Sequence, residues 1–170
     1  IDNVKQSEEN ALQAHQKDMI TFLQTTEDDI RYLADSPGIQ SFARAIVAGN
    51  PEAIGQGQQQ IAQGFSALSK SRGIYDQIRF ISADGNELVR VDSDGESVTI
   101  SDNLQYKGDR SYFTETIRQP QGGIYISPLN LNREGSPAQI EVLADGSVVP
   151  ALRYGTPIYV DDQLAGVIVL

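Results

Sequence analysis

From the first residue to about position 34, apolar side chains recur as Val4, Leu12, Met19, Phe22, Leu23, Ile30 and Leu33 among glutamate, glutamine, aspartate and lysine. That spacing follows the helical period and predicts one long helix over residues 1–34. At 1.5 Å per residue it would run roughly 50 Å, more than a compact domain of this size needs, so part of it is expected to protrude or to pair as a dimer-forming stalk. His15 lies on the same stripe and reads as an ordinary helix histidine. Ser36-Pro37 is an N-cap followed by proline at the first helical position, and Gly49 closes the helix running from Ile39 to Ala48. Asn50-Pro51 repeats the signal, and Gly73 ends a helix carrying Ile54, Ile61, Phe65 and Leu68.

After Gly73 the period changes to two. Residues 74–81, 87–91 and 98–100 read as strands joined through Asp84-Gly85 and Asp94-Gly95, an antiparallel meander. A loop over 101–108, a short helix from about Asp109 to Arg118 and a strand from Ile124 to Ser127 follow. The segment 129–150 is irregular, with turn signals at Gly135-Ser136-Pro137 and Asp145-Gly146. Two strands finish the chain, Ala151 to Val160, where Pro157 marks an edge or bulge, and Leu164 to Leu170 after a turn at Asp161-Asp162. Helices followed by about five strands with one inserted helix define an α+β fold with a central antiparallel sheet. Residues 1–34 form the stalk and 35–170 the lobe.

Composition narrows the function. The 170 residues are 39% hydrophobic, which suffices for a real core. A formal charge of -10 opposes nucleic-acid binding and attachment to an anionic membrane surface. There is no cysteine, hence no disulfide frame, thiolate nucleophile or cysteine-ligated metal. The run Gly55-Gln56-Gly57-Gln58-Gln59-Gln60 looks like half a phosphate loop, but no strand precedes it and the Gly-Lys-Ser/Thr ending is missing, so it reads as a weak, exposed helix face. Asp92, Asp94 and Glu96 suggest calcium, yet Gly95 falls at the wrong place for the twelve-residue loop, and a hairpin turn is the better reading. No cofactor or metal is expected. Nothing supplies a nucleophile with a base, so an enzyme is the weakest reading.

The chemistry concentrates between Tyr106 and Pro128, where Tyr106, Arg110, Tyr112, Tyr125 and Ser127 crowd around one predicted helix start and one predicted strand. Phenol rings with polar tips and a guanidinium suit holding a small polar ligand. Arg110 presents a planar fork of donors suited to a carboxylate, a charged hydrogen bond worth roughly 1.5–3 kcal/mol. Arg153 and Arg79, on strands, could reach the same cleft from the sheet floor, whereas Arg90 reads as a solvated strand residue. The plainer alternative stays open: Asp109 and Glu115 pair with Arg110 on the surface, and Tyr112-Phe113 is core.

The element order resembles a Cache, or PDC, domain. Carrying the resemblance are the segments 75–81, 87–91, 109–113 and 125–132, then Arg153-Tyr154-Gly155-Thr156-Pro157 and Gly166-Val167-Ile168-Val169. It covers nearly the whole chain. It implies a PAS-like extracytoplasmic sensor of a bacterial receptor, held in the inner membrane by helices outside this sequence, homodimeric through its N-terminal helix. It further implies a cytoplasmic histidine kinase, diguanylate cyclase or chemotaxis output, and, in the double form of the family, a second lobe. The chain begins within a helical pattern and ends within an apolar strand, as a piece of a longer protein would. Members that bind amino acids carry a tyrosine, a basic residue, an aromatic pair, a second tyrosine with an aspartate two residues on, and a late aspartate. Tyr106, Arg110, Tyr112 and Phe113 match the first half. Ser127 stands where the aspartate after Tyr125 is usual, and the last strand has none, so the expected ligand is a carboxylate or another small polar molecule rather than an amino acid. The alternative is a ligand-independent module for dimerisation or for docking a partner protein.

Overall fold

The computed structural model describes residues 2–134, 139–140, 142 and 146–170. The turn signals at Gly135-Ser136-Pro137 and at Asp145 lie outside the described residues. Helix α1 spans Asp2–Asp35, in line with the apolar stripe. Ser36 caps α2 (Pro37–Val47), its hydroxyl accepting the Ile39 N–H at 3.4 Å. Asn50 likewise caps α3 (Pro51–Arg72), and Gly73 ends it in the left-handed region at φ 64°.

The strands are β1 (Gln77–Ser82), β2 (Glu87–Ser93), β3 (Val98–Ile100), β4 (Tyr125–Ile126), β5 (Asn130–Leu131), β6 (Arg133–Glu134), β7 (Gln139–Ile140), β8 (Pro150–Ala151), β9 (Tyr154–Val160) and β10 (Gln163–Val169), with a six-residue helix α4 (Ser111–Thr116) between β3 and β4. Six of them form one antiparallel sheet in the order β3-β2-β1-β10-β9-β4, and each overlaps one of the six segments that the sequence marks as strands; β5 pairs β8, and β6 pairs β7. Asp161 and Asp162 both take positive φ, 48° and 66°, the two-residue turn whose twist matches a β-hairpin, and they join β9 to β10. Pro157 pairs with β10 alone, because β4 reaches only Tyr154 and Gly155 on the other side of β9. Its missing N–H therefore falls on a locally open edge, as expected.

Period two sends alternate side chains to opposite faces of the sheet. On one face Ile78, Phe80, Val89, Val91, Ile158 and Ile168 pack with Ile30, Ile39, Phe42 and Phe65 of the three helices. On the other, Ile81, Val167 and Val169 pack with Tyr112 and Phe113 of α4. Two expectations do not hold. The glycine-glutamine run is not simply an exposed face: a Cβ on Gly57 would stand 2.4 Å from the Phe42 ring, and Gln58 donates to the Leu88 carbonyl at 2.9 Å. Gly57 is what lets α3 close on α2. Arg90 is not solvated either; its side chain is only 12% exposed and binds Asp92 at 2.8 Å.

The C-terminal half of α1 spends its stripe on its own lobe, with Ile30 and Leu33 buried in the core and Leu23 packed against it, while Leu12, Met19 and Ile20 remain exposed. Among the described residues no helix is long and apolar enough to cross a membrane.

Candidate functional site

The site begins with a glycine. A Cβ on Gly155 would lie 2.0 Å from the Thr116 hydroxyl, so only glycine there lets α4 sit directly on β9. Thr116, fully buried, donates to the Tyr112 carbonyl at 2.6 Å and tightens the helix. Tyr112 is thereby laid over the sheet face that carries Arg79 of β1. The Arg79 guanidinium lies 5.9 Å from the centre of the Tyr112 ring and donates to its hydroxyl at 3.0 Å. The Arg153 guanidinium, from the approach to β9, lies 5.2 Å from the same centre and donates to the Asn132 amide oxygen. One phenol thus has two cations within cation–π range.

Each cation is positioned from behind. Arg79, 2% exposed, forms a buried ion pair at 3.2 Å with Glu87. The Glu87 carboxylate also accepts the Gln105 N–H at 2.9 Å, the kind of additional hydrogen bond a buried ion pair needs. Ser127 fixes the Arg153 backbone in both directions: its hydroxyl accepts the Arg153 N–H at 2.9 Å, and its own N–H donates to the Arg153 carbonyl at 2.9 Å. Tyr125 packs beside Tyr112 and Phe113.

A cavity of about 570 Å³ opens where the ends of β1, β9 and β10 meet α1. Arg79, Arg153 and Asn132 form part of its wall, and Met19, Phe22, Leu23, Ile74, Leu129 and Leu152 supply much of the apolar remainder. Thr26 and Tyr75 also line it. The Tyr75 hydroxyl donates to Asp29 of α1 at 2.6 Å, and Asp29 receives both Nε and Nη2 of Arg72 at 2.8 and 2.6 Å. Asp29 is 4% exposed, so this clasp ties α1 to the end of α3 and the entry to β1. Burial first, and then the hydrogen bond to Asp29, push the Tyr75 hydroxyl well above the ordinary tyrosine range.

Of the residues singled out from the sequence, Arg79, Tyr112, Arg153 and Ser127 come together, with Tyr125 at their edge, and of these Arg79 and Arg153 lie on the cavity wall while Tyr112, Ser127 and Tyr125 stand behind it. Arg110 does not join the cavity wall: it precedes α4, its side chain is 18% exposed, and its Nε lies 3.6 Å from Asp109. With α4 only six residues long, the helix-dipole contribution to Arg110 is small. Tyr106 stands apart, 58% exposed, with its ring over Gly108 and Gly85. Sequence reasoning missed Asn132, Glu87 and the buried Lys107, which donates to Gln105 at 2.9 Å. It also missed the part α1 plays in the cavity wall. The signal for Asn132 was present in the polar-apolar alternation Asn130-Leu131-Asn132; no local signal marks the others.

An antiparallel sheet with three helices on one face, α4 on the other, and a ligand-sized hollow with two arginines at its end defines a PAS-like lobe. Residues 48–170 match the model of the bacterial histidine kinase sensor domain, and the chain belongs to that family. It is a sensing family, not a catalytic one. The fold is shared with a domain of a protein from Vibrio parahaemolyticus described as of the sensory box/GGDEF family (TM-score 0.79, 23% identity, 94% of this chain and 56% of that one). It is similar also to the extracellular domain of a protein described as histidine kinase vpHK1S-Z8 (TM-score 0.78, 21% identity, 94% and 53%). The ligand-binding domain of the Campylobacter jejuni chemoreceptor Tlp3, solved with 4-methylisoleucine, is more distant (TM-score 0.60, 16% identity, 93% and 54%). The chain spans little more than half the length of these structures. No curated protein matches it.

Proposed function

We propose that this lobe is the extracytoplasmic ligand-sensing part of a membrane-anchored signal-transduction receptor, and that it binds a small carboxylate at Arg153 and Arg79, with Tyr112 holding the two guanidinium groups from behind the cavity wall. The observation that carries this reading is the pair of guanidinium heads 5.2 and 5.9 Å from one phenol ring, both on the wall of a single hollow. Arg153 offers the planar fork that a carboxylate accepts in bidentate fashion. Arg79, held by Glu87, sets the Tyr112 hydroxyl. Ser127 and Tyr125 keep Arg153 and Tyr112 in register, and Arg110 and Tyr106 stiffen the approach to α4 rather than touch the ligand.

Signalling requires the ligand to favour one packing of the lobe on α1 over another, since equal binding to both shifts nothing. The Asp29 clasp is the joint at which such a difference reaches α1, and through α1 a dimer mate and a cytoplasmic kinase, cyclase or chemotaxis output. Thermal-shift screening against mono- and dicarboxylates tests the reading. A compound that raises Tm in the wild-type chain and loses the effect in Arg153→Gln is expected. A panel without any stabilising carboxylate would favour the second reading, a dimerisation or docking module, to which the exposed Leu12, Met19 and Ile20 of α1 lend support.

A further inference from the structure

The hollow beside Arg153 is larger and more apolar than a small carboxylate needs. At about 570 Å³ it falls in the range of roughly 300–1,000 Å³ typical of sites for drug-sized ligands. Its outer wall gathers large apolar side chains from three distant parts of the chain: Met19 and Phe22 on α1, Ile74 before β1, and Leu129 after β4. They are 65%, 42%, 38% and 71% exposed, an uncommon concentration of water-facing apolar surface around one concavity. At the inner end stand Arg79 and Arg153 with Asn132. Asp76 also reaches the wall from an exposed position, which disfavours a second negative charge on whatever fills the hollow.

We propose that the hollow seats an amphipathic monocarboxylate, its carboxylate on Arg153 and its apolar body laid against Met19 and Phe22 of α1. This rests on the reading of Arg153 as a carboxylate anchor and adds to it the ligand class and the route of the signal. A ligand in that position is a strut between the sheet end and the long helix. It touches α1 within one turn or two of Thr26 and Asp29, beside the clasp that Tyr75 and Arg72 make. Filling the hollow covers the apolar surface that α1 otherwise shows to water, so occupancy favours the arrangement in which helix and sheet end are drawn together.

Calorimetry with acetate, octanoate and 1-octanol on the whole chain tests this, with wild type, Arg153→Gln, Arg153→Lys, Phe22→Ser and Leu12→Ser compared. Each buried methylene is worth about fourfold in affinity. Octanoate is therefore expected to bind once per chain and at least about tenfold more tightly than acetate. Phe22→Ser and Arg153→Gln each weaken it about tenfold or more, Arg153→Lys weakens it less, and Leu12→Ser, on exposed α1 surface off the cavity wall, leaves it unchanged. If acetate and octanoate bind equally and only Arg153→Gln matters, the amphipathic ligand is overturned while the carboxylate site stands. If octanol binds as well as octanoate and Arg153→Gln changes neither, the carboxylate anchor itself falls. Binding at several sites per chain, weakened by Leu12→Ser, or no octanoate binding at all, overturns the inference. Should Arg153→Gln fail to fold, judged by circular dichroism, the chain-length comparison in the wild type together with Arg153→Lys and Phe22→Ser decides.

Discussion

Three glycines on α3 should respond to alanine with opposite signs. At Gly55 and Gly64 an added Cβ meets nothing within 4 Å, so Gly→Ala there only removes backbone freedom from the unfolded chain. Each is expected to stabilise by about 0.5–1 kcal/mol. Gly57 gains the same helix propensity, but its Cβ would stand 2.4 Å from Cδ2 of Phe42. That ring cannot simply retreat: Phe42 is 1% exposed and packs edge-on against Phe80 with centroids 5.0 Å apart. Overpacking of this kind costs about 1–3 kcal/mol. Subtracting a propensity gain of about 1 kcal/mol leaves Gly57→Ala destabilised by roughly 0–2 kcal/mol. In a domain of this size 1 kcal/mol moves Tm by about 2–4 °C, so Gly55→Ala and Gly64→Ala should rise by a few degrees and Gly57→Ala should fall or stay level. Urea unfolding of the three variants, and of Gly57→Ala with Phe42→Leu, measures it; the smaller side chain should recover much of the loss. A Gly57→Ala variant as stabilised as Gly64→Ala would show that α3 does not close on Phe42 as described.

Gly155→Ala places a methyl against Thr116 and should lift α4 from β9, lowering stability by about 1–3 kcal/mol in thermal melts and weakening any ligand held by Arg153, against which the Tyr112 ring lies; Thr116→Ala in the same chain should return part of both. Tyr75 holds its proton more tightly folded than unfolded, because burial and the Asp29 hydrogen bond favour the neutral hydroxyl. Stability from this group is therefore complete below the ordinary tyrosine value of about 10 and is lost as pH rises from there toward the higher folded value. Urea melts between pH 8 and 11 should show that decline, and Tyr75→Phe should flatten it. Asp29→Ala, which strips the buried Tyr75 hydroxyl of its acceptor, should cost about 1–3 kcal/mol at neutral pH, read as a lower urea midpoint than that of Tyr75→Phe.

Much of the fold is legible in the chain because its punctuation is local. Ser36-Pro37, Asn50-Pro51, Gly73 and Asp161-Asp162 each act through the backbone of their own neighbours, and the change from helical period to period two at Gly73 marks where the sheet begins. Contacts across the fold are another matter. Asp29 finds Arg72 and Tyr75 at separations of 43 and 46 residues, and nothing local announces that pairing. Arg90 has the alternating environment of an outward strand residue, yet Asp92 and Glu87 surround it. The arginines show the same division. Arg110 stands in the aromatic-rich stretch that the sequence favours, whereas Arg79 and Arg153, about 74 residues apart in the chain, are the two that the antiparallel sheet carries to the cavity wall. The α1 stripe reads as a pairing surface, but the sheet that covers its C-terminal half is built from residues far downstream.

A carboxylate held at Arg153 must be felt by α1, and the chain offers a clean reporter because it has no tryptophan. Phe22→Trp puts a single indole on the α1 wall of the hollow. Titration with octanoate should shift its emission to shorter wavelength along a saturable curve, and Arg153→Gln in the same chain should abolish the shift. An emission spectrum that octanoate leaves unchanged while calorimetry records binding, or a shift that persists undiminished without Arg153, would contradict it.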